Sequence, residues 1–367
     1  MTEFDFIRHL SEQTQSRTHS SRLVIGVGDD ASVITQSAGR DLVVTTDLLV
    51  EGVDFYREAT PPRLLGHKAL AVSLSDIAAM GARPWWSLLS IGMPPETWRD
   101  KFKDEFFEGY FALADPYGVT LSGGDVSETK SGIVIDSIVI GEVVSGAAIL
   151  RSGARPGDQI FVTGTLGGAA AGLKLIEMGG RVSRQEAVGR LREAGDRGEG
   201  SVPPAVAGGS DASAERSEED AIQTLLLRQL RPSPRVGWGI VLGEERLATA
   251  MIDISDGLSS DLAHLCRESN VGALIQSASI PSHPDVIRLC GRRALDPLAL
   301  ALHGGEDFEL LLTVHPNNVA RLPNRVDGVS ISRIGKITDQ PNMIKITEGN
   351  HVWDLQPQGF EHFKSHA

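Results

Sequence analysis

Six times along this 367-residue chain an apolar run meets an acidic residue set beside glycine, serine or threonine. The six stretches are Gly26-Val27-Gly28-Asp29-Asp30-Ala31, Thr45-Thr46-Asp47, Ser73-Leu74-Ser75-Asp76 with Gly81 closing the run, Gly123-Gly124-Asp125, Asp253-Ile254-Ser255-Asp256-Gly257, and Gly304-Gly305-Glu306-Asp307. A fold that accepts them must end or turn a hydrophobic element at each point. It must also give each carboxylate water, a partner or a cation. Forty glycines, clustered in short turns, favour a mixed α/β protein whose tight loops bring backbone close to a ligand.

Between the acidic stretches the pattern alternates. Leu42-Val43-Val44-Thr45-Thr46 and the run from Ile133 to Val144 have strand composition. Leu64 to Met80 reads as a helix closed by Gly81, with Arg83-Pro84 as a stop. The turn-rich run from Arg151 to Asp158 opens a second unit, with a strand over Gln159 to Thr163 and a helix from Gly168 to Met178. From Gly179 to Asp220, Arg, Glu, Gly, Ser, Ala and Pro dominate. Such a segment buries too little surface to offset its ordering entropy, so its middle is expected to be a mobile insertion. The expected domains are residues 1–150 and residues 151–367, the second carrying the insertion at 179–220, with no internal repeat.

A net charge of −13 opposes nucleic acid and anionic membrane, which need concentrated positive charge. A polyanion still binds such a protein if divalent cations stand between. No apolar run approaches a membrane span, and Met1-Thr2-Glu3-Phe4-Asp5 lacks signal-peptide character. Cys266 and Cys290, without metal-ligand spacing, are expected to be reduced thiols in a cytoplasmic protein.

On a helical wheel Leu65, Ala69, Val72, Asp76 and Met80 share one narrow stripe. An ionised Asp76 there needs an ion pair or a metal. Each of the others has a plainer reading. Asp29-Asp30 and Asp125 suit turns, Asp47 suits a strand edge facing the same way as Thr45, Asp256 suits a helix cap, and Glu306-Asp307 suits the start of a strand over Phe308 to Val314. Taken together, oxygen ligands at several strand ends suit Mg²⁺ on a polyphosphate, with glycine backbone N–H groups on the phosphate oxygens.

The common nucleotide loops are missing. There is no Gly-x-x-x-x-Gly-Lys-Ser/Thr and no protein-kinase loop set. Gly164-Thr165-Leu166-Gly167-Gly168 lacks dinucleotide spacing and reads as a packing turn. Tyr117, ahead of Gly123-Gly124-Asp125, suits either a nucleotide base or core packing. His303 is the one histidine immediately before an acidic turn and reads as a structural residue.

In order, these motifs resemble the thiamine-monophosphate kinases, of the superfamily that includes aminoimidazole ribonucleotide synthetase. Glu51-Gly52-Val53-Asp54-Phe55 after the Thr45-Thr46-Asp47 strand, Gly304-Gly305-Glu306-Asp307-Phe308-Glu309-Leu310 and Gly359-Phe360 add to the likeness, which covers the chain outside Gly179 to Asp220. The resemblance implies two α/β domains, the first pairing with its copy in a homodimer to form a shared β-barrel. It implies ATP as co-substrate, several Mg²⁺ ions, and thiamine monophosphate as the acceptor. The implied ligands of Mg²⁺ and ATP are Asp30, Thr45, Thr46, Asp47, Asp76, Asp125, Asp253 and Asp256. Gly124, Arg151 and Ser255 are implied at the nucleotide, and Asp54, Glu306 and Phe360 at thiamine phosphate. Asp54 departs from the family, which often has His there. Two rival expectations remain: another ATP-using synthetase of the superfamily, and a non-catalytic nucleotide or Mg²⁺ sensor.

Overall fold

The structure is a computed structural model describing residues 10, 12–14, 17, 22–25, 33–183, 217–293 and 295–360. Asp29 and Asp30, and residues 184–216 of the expected insertion, lie outside the described residues. The chain divides after Ala148 into two compact units, with Val182 and Ser183, among the described residues, grouped with the first.

The first unit holds β1 (Leu23–Ile25), β2 (Val33–Ile34), β3 (Arg40–Val50), α1 (Pro62–Ala79), β4 (Arg83–Met93), α2 (Pro95–Arg99), α3 (Phe102–Tyr117), β5 (Thr120–Glu128) and β6 (Val134–Val144). Its main sheet runs β3-β6-β4-β5, antiparallel except for the parallel β4–β5 pair. Helix α1 is flanked by this sheet and by α3. Consequently every residue from Leu64 to Ser75 is buried, and so are Ile77, Ala78 and Ala79. The wheel reading of α1 is therefore corrected. A helix covered on all sides has no single apolar stripe, and Asp76 is only half-buried where its neighbours are sealed.

Two further corrections concern strands. Thr45-Thr46-Asp47 does not end its strand, because β3 continues to Val50 and Asp47 pairs with Ser137 of β6. Gly123-Gly124-Asp125 is likewise no turn. It lies inside β5, which bulges against β4 between its partners Ser87 and Leu88. Gly124 is obligatory there, since a Cβ would sit 2.0 Å from the Leu89 carbonyl oxygen.

The second unit comprises β7 (Gln159–Thr163), α4 (Gly168–Glu177), α5 (Glu218–Leu230), α6 (Val236–Glu244), β8 (Ala248–Asp253), α7 (Leu258–Ser269), β9 (Gly272–Gln276), α8 (Pro284–Arg293), α9 (Pro297–His303), β10 (Leu310–Val314), β11 (Arg325–Val326), β12 (Val329–Thr338), β13 (Ile344–Glu348) and β14 (His351–Asp354). Its sheet order is β14-β13-β9-β12-β7-β10-β8, with β11 added beside β12. Ile160 and Val162 of β7, Ile252 of β8 and Leu311 of β10 share a core with Leu258, Leu262 and Leu265 of α7. Burial of this apolar set is the main driving force for the unit. Helix α5 begins with a capping box in which Ser217 and Asp220 exchange side-chain and backbone hydrogen bonds.

Candidate active site

Two sets of acidic residues emerge, one in each unit. In the first, Thr45 and Asp47 project from the same face of β3 by strand alternation. Thr45 Oγ1 donates to Asp76 Oδ2 at 2.5 Å. Asp47 Oδ2 is buried and has no hydrogen-bond partner. Burial, then the Asp76 carboxylate, push Asp47 up to about 7 against a partial offset from Ser73, and Asp136 adds to the rise. A buried, unmatched oxygen beside another carboxylate suits a hard divalent cation, the chemistry that would relieve both charge and desolvation. No three His, Cys, Asp or Glu side chains converge as a complete cage among the described residues. Mg²⁺ needs none, since phosphate and water complete its shell.

Thr46 points the other way along β3, and its hydroxyl donates to Asp136 Oδ1 at 2.5 Å. Asp136, on β6, is a neighbour that sequence reasoning did not single out. Asp125 is exposed on β5, the opposite edge strand from β3, and Oδ1 accepts the N–H of Val126 at 2.9 Å. Asp54 closes its own turn, Oδ2 accepting the Val50 N–H at 2.7 Å, while buried Lys68 donates to the Asp54 carbonyl at 3.2 Å. Tyr117 is the last residue of α3 and is half-buried.

In the second unit, main-chain hydrogen bonds bring together three stretches distant in sequence. Glu306 N–H donates to Ser255 O at 2.8 Å, Phe308 N–H to Ile254 O at 2.9 Å, and Phe360 N–H to Asp256 O at 3.2 Å. The approach is so close that a Cβ on Gly305 would lie 2.5 Å from Ser255 O, and one on Gly359 2.2 Å from Asp256 O. Ser255, Asp256, Glu306 and Phe360 thus form one cluster, and half-exposed Phe360 is its aromatic member. Asp253 is buried at the end of β8. Arg151 is exposed and its carbonyl accepts from Ser269 Oγ at 3.0 Å.

Asp256 does not cap α7. The N-cap is Gly257, without a side-chain bond, and Asp261 serves instead. Its Oδ2 accepts the N–H groups of Asp256 at 3.2 Å and Gly257 at 3.0 Å. Burial, then Asp253 and Asp256, push Asp261 up to about 8. An acidic residue in the first turn of a helix was the available signal for it.

Asp307 does not merely start a strand. Buried, it accepts the N–H groups of Gly167 at 2.6 Å and Ala169 at 3.0 Å, and so holds the start of α4. The Gly164–Gly168 loop has thereby turned its donors inward, as a packing turn does. Fully buried Glu309 accepts from Arg235, from Arg228 at 3.2 Å and from Thr163 Oγ1 at 2.8 Å. Burial alone would raise Glu309, but the Arg235 and Arg228 charges hold it below its ordinary value.

Residues 28–143 match the AIR synthase related protein N-terminal domain and residues 155–346 the corresponding C-terminal domain. The chain is 37% identical to thiamine-monophosphate kinase of Escherichia coli (strain K12) over 357 residues, covering 95% of each chain. The chain belongs to the thiamine-monophosphate kinase family. Solved structures agree with the family. The thiamine-monophosphate kinase of Stenotrophomonas maltophilia K279a superposes with a TM-score of 0.74 at 33% identity, covering 92% of this chain and 95% of that one. AaThiL complexed with AMPPCP and TMP gives 0.70 at 27% identity, covering 98% and 97%. The two-domain α/β architecture expected from the sequence is the family's fold.

Proposed function

We propose that this chain transfers the γ-phosphate of ATP to thiamine monophosphate, giving thiamine diphosphate and ADP. The observation that carries this reading is 37% identity to a thiamine-monophosphate kinase across 95% of both chains. A phosphate oxygen of the acceptor bonds to the γ-phosphorus as the bond to the β-phosphate oxygen breaks. With a second pKa of about 6, the acceptor phosphate is largely dianionic at neutral pH and needs no general base. What remains for the protein is alignment and neutralisation.

Thr45, Asp47 and Asp76, together with Thr46, Asp125, Asp253 and Asp256, are the residues we assign to Mg²⁺, which when bound would supply positive charge to offset that of the phosphates. Asp30 belongs to the same assignment but lies outside the described residues. Gly124, Arg151 and Ser255 are assigned to the nucleotide, with the exposed Arg151 guanidinium suited to phosphate. Tyr117 remains a candidate for the base. Glu306 and Phe360 are assigned to the acceptor. Asp54, whose Oδ2 closes the turn at Val50, is assigned to the acceptor as well.

Residues 1–150 are then the domain of nucleotide, metal and dimerisation, and residues 151–367 the second α/β domain. The open face of β3 exposes Leu42, Val44 and Leu48. A second copy covering them in a shared barrel is the arrangement we favour, because such an apolar face calls for a partner. No helix among the described residues is long and apolar enough to cross a membrane. Cys266 and Cys290 are free and buried, which suits a reducing, cytoplasmic setting. A coupled assay for thiamine diphosphate, with ATP and with or without Mg²⁺, tests the reading. No product with Mg²⁺ present would remove it.

A further inference from the structure

We propose that Gln229 is a positioning residue that aims the Glu306 carboxylate at the amino-bearing heterocyclic end of thiamine monophosphate, away from its phosphate. The inference rests on the function proposed above and names the part of the acceptor that this turn reads.

Glu306 sits in a left-handed backbone conformation, φ +64°, directly after two glycines. That conformation is costly for a residue with a Cβ, and persists where surrounding structure holds it. Its N–H is tied to Ser255 O at 2.8 Å, so the backbone cannot relax. Its side chain is held too, because Gln229 Nε2 donates to Glu306 Oε2. Gln229 has little freedom to do otherwise. It is 4% exposed on α5, flanked by buried Leu226 and Leu230. The Cβ of Gln229 packs against Gly172 of α4, where an added Cβ would come within 2.9 Å of it and 2.1 Å of the Leu225 carbonyl.

The other half of the amide shows what the residue is for. Gln229 Oε1 is buried and has no hydrogen-bond partner. An amide kept in a core with its acceptor unmatched lowers stability relative to an apolar side chain of similar shape. Its retained interaction is the donation to Glu306. Charge then decides which end of the acceptor the carboxylate meets. Beside a dianionic phosphate, Glu306 would be repelled. Thiamine's other end carries a cationic thiazolium and an aminopyrimidine whose exocyclic amine donates hydrogen bonds. A fixed carboxylate accepts from that amine and favours the positive ring.

The decisive measurement compares thiamine monophosphate with its 4-oxo analogue, in which the exocyclic amine is replaced by an oxygen. Wild-type enzyme should prefer thiamine monophosphate by roughly tenfold or more in kcat/KM, because a site built for a donor penalises its loss. Gln229→Met keeps the length and removes the donor. It should raise KM for thiamine monophosphate by roughly tenfold, leave KM for ATP unchanged, preserve or raise Tm, and narrow the preference over the 4-oxo analogue. An unchanged preference in Gln229→Met, or no preference in the wild type, overturns the inference even if Gln229→Met folds poorly. Absence of turnover with thiamine monophosphate in the wild type would instead overturn the underlying function.

Discussion

The Asp261 carboxylate reaches back to the N–H of Gly257 at 3.0 Å, so the turn carrying Asp256 is fixed by an acid from inside the helix that follows it. Burial, Asp253 and Asp256 raise this acid to about 8, against 3.8 for an ordinary aspartate. The folded state therefore binds a proton that the unfolded chain has lost over that interval. Stability contributed in this way is complete below pH 4 and lost as pH rises through 8. Urea unfolding of the Mg²⁺-free protein at pH 5 and pH 8.5 should show the loss. Asp261→Asn, which retains an acceptor oxygen, should flatten the profile, and an equally steep profile in the mutant would refute the assignment.

Asp47 follows the same sign, with its loss extending from pH 4 to about 7. Because a cation would neutralise Asp47 and Asp76 together, Mg²⁺ should raise Tm more at pH 8 than at pH 5. Asp47→Asn, Asp76→Asn and Asp125→Asn should each lower kcat by on the order of 10²-fold and raise the Mg²⁺ requirement. Near-normal kinetics in all three would dismiss a metal role.

Glu309 is sealed between Arg235 and Arg228. Glu309→Gln leaves two guanidinium groups facing a neutral amide and should destabilise the second unit by about 3–5 kcal/mol, since one partner of a buried ion pair is removed. Denaturant titration reads this directly, and a loss below about 1 kcal/mol would mean the network contributes little.

Gly359→Ala places a methyl group 2.2 Å from the Asp256 carbonyl oxygen. The Phe360 N–H bond to that oxygen must break or the turn must shift. Turnover should fall while the far-UV circular dichroism and the global Tm stay near wild type, because the strain is local. Wild-type kinetics would indicate that this contact is dispensable.

Transfer should be direct. His303, directly before Gly304-Gly305-Glu306 in sequence, is bound through Nδ1 to Ser259 Oγ at 2.9 Å, and burial holds it below its ordinary value. It is a neutral structural side chain at pH 7. Incubation with γ-labelled ATP and Mg²⁺, without acceptor, should leave no label on the denatured protein, and His303→Ala should retain activity. Stoichiometric label lost in that mutant would establish a covalent relay instead.

The acidic stretches were legible because each sets a carboxylate among glycine, serine or threonine against an apolar run, and strand and helix spans near Gln159–Thr163 and Gly168–Glu177 followed from composition. The wheel failed at α1 because burial on every side erases periodicity. Gly123-Gly124-Asp125 looked like a turn because a bulge and a close backbone approach demand the same residue as a turn does. Gln229 went unnoticed although Leu225, Leu226 and Leu230 set an apolar face around it. The polar-in-apolar criterion applied to Asp76 would have found it. Asp136 had no local signal, since its importance comes from a neighbouring strand.

The Asp256 carbonyl waits for Phe360, more than a hundred positions later in the chain. During vectorial synthesis the first unit is complete long before that amide leaves the ribosome, because domains fold in order of emergence. A nascent chain stalled short of residue 360 would carry the whole first unit and still lack the contact that finishes the second. On the assignment of Glu306 and Phe360 to the acceptor, competence for that substrate would depend on a stretch translated well after the first unit's own acids.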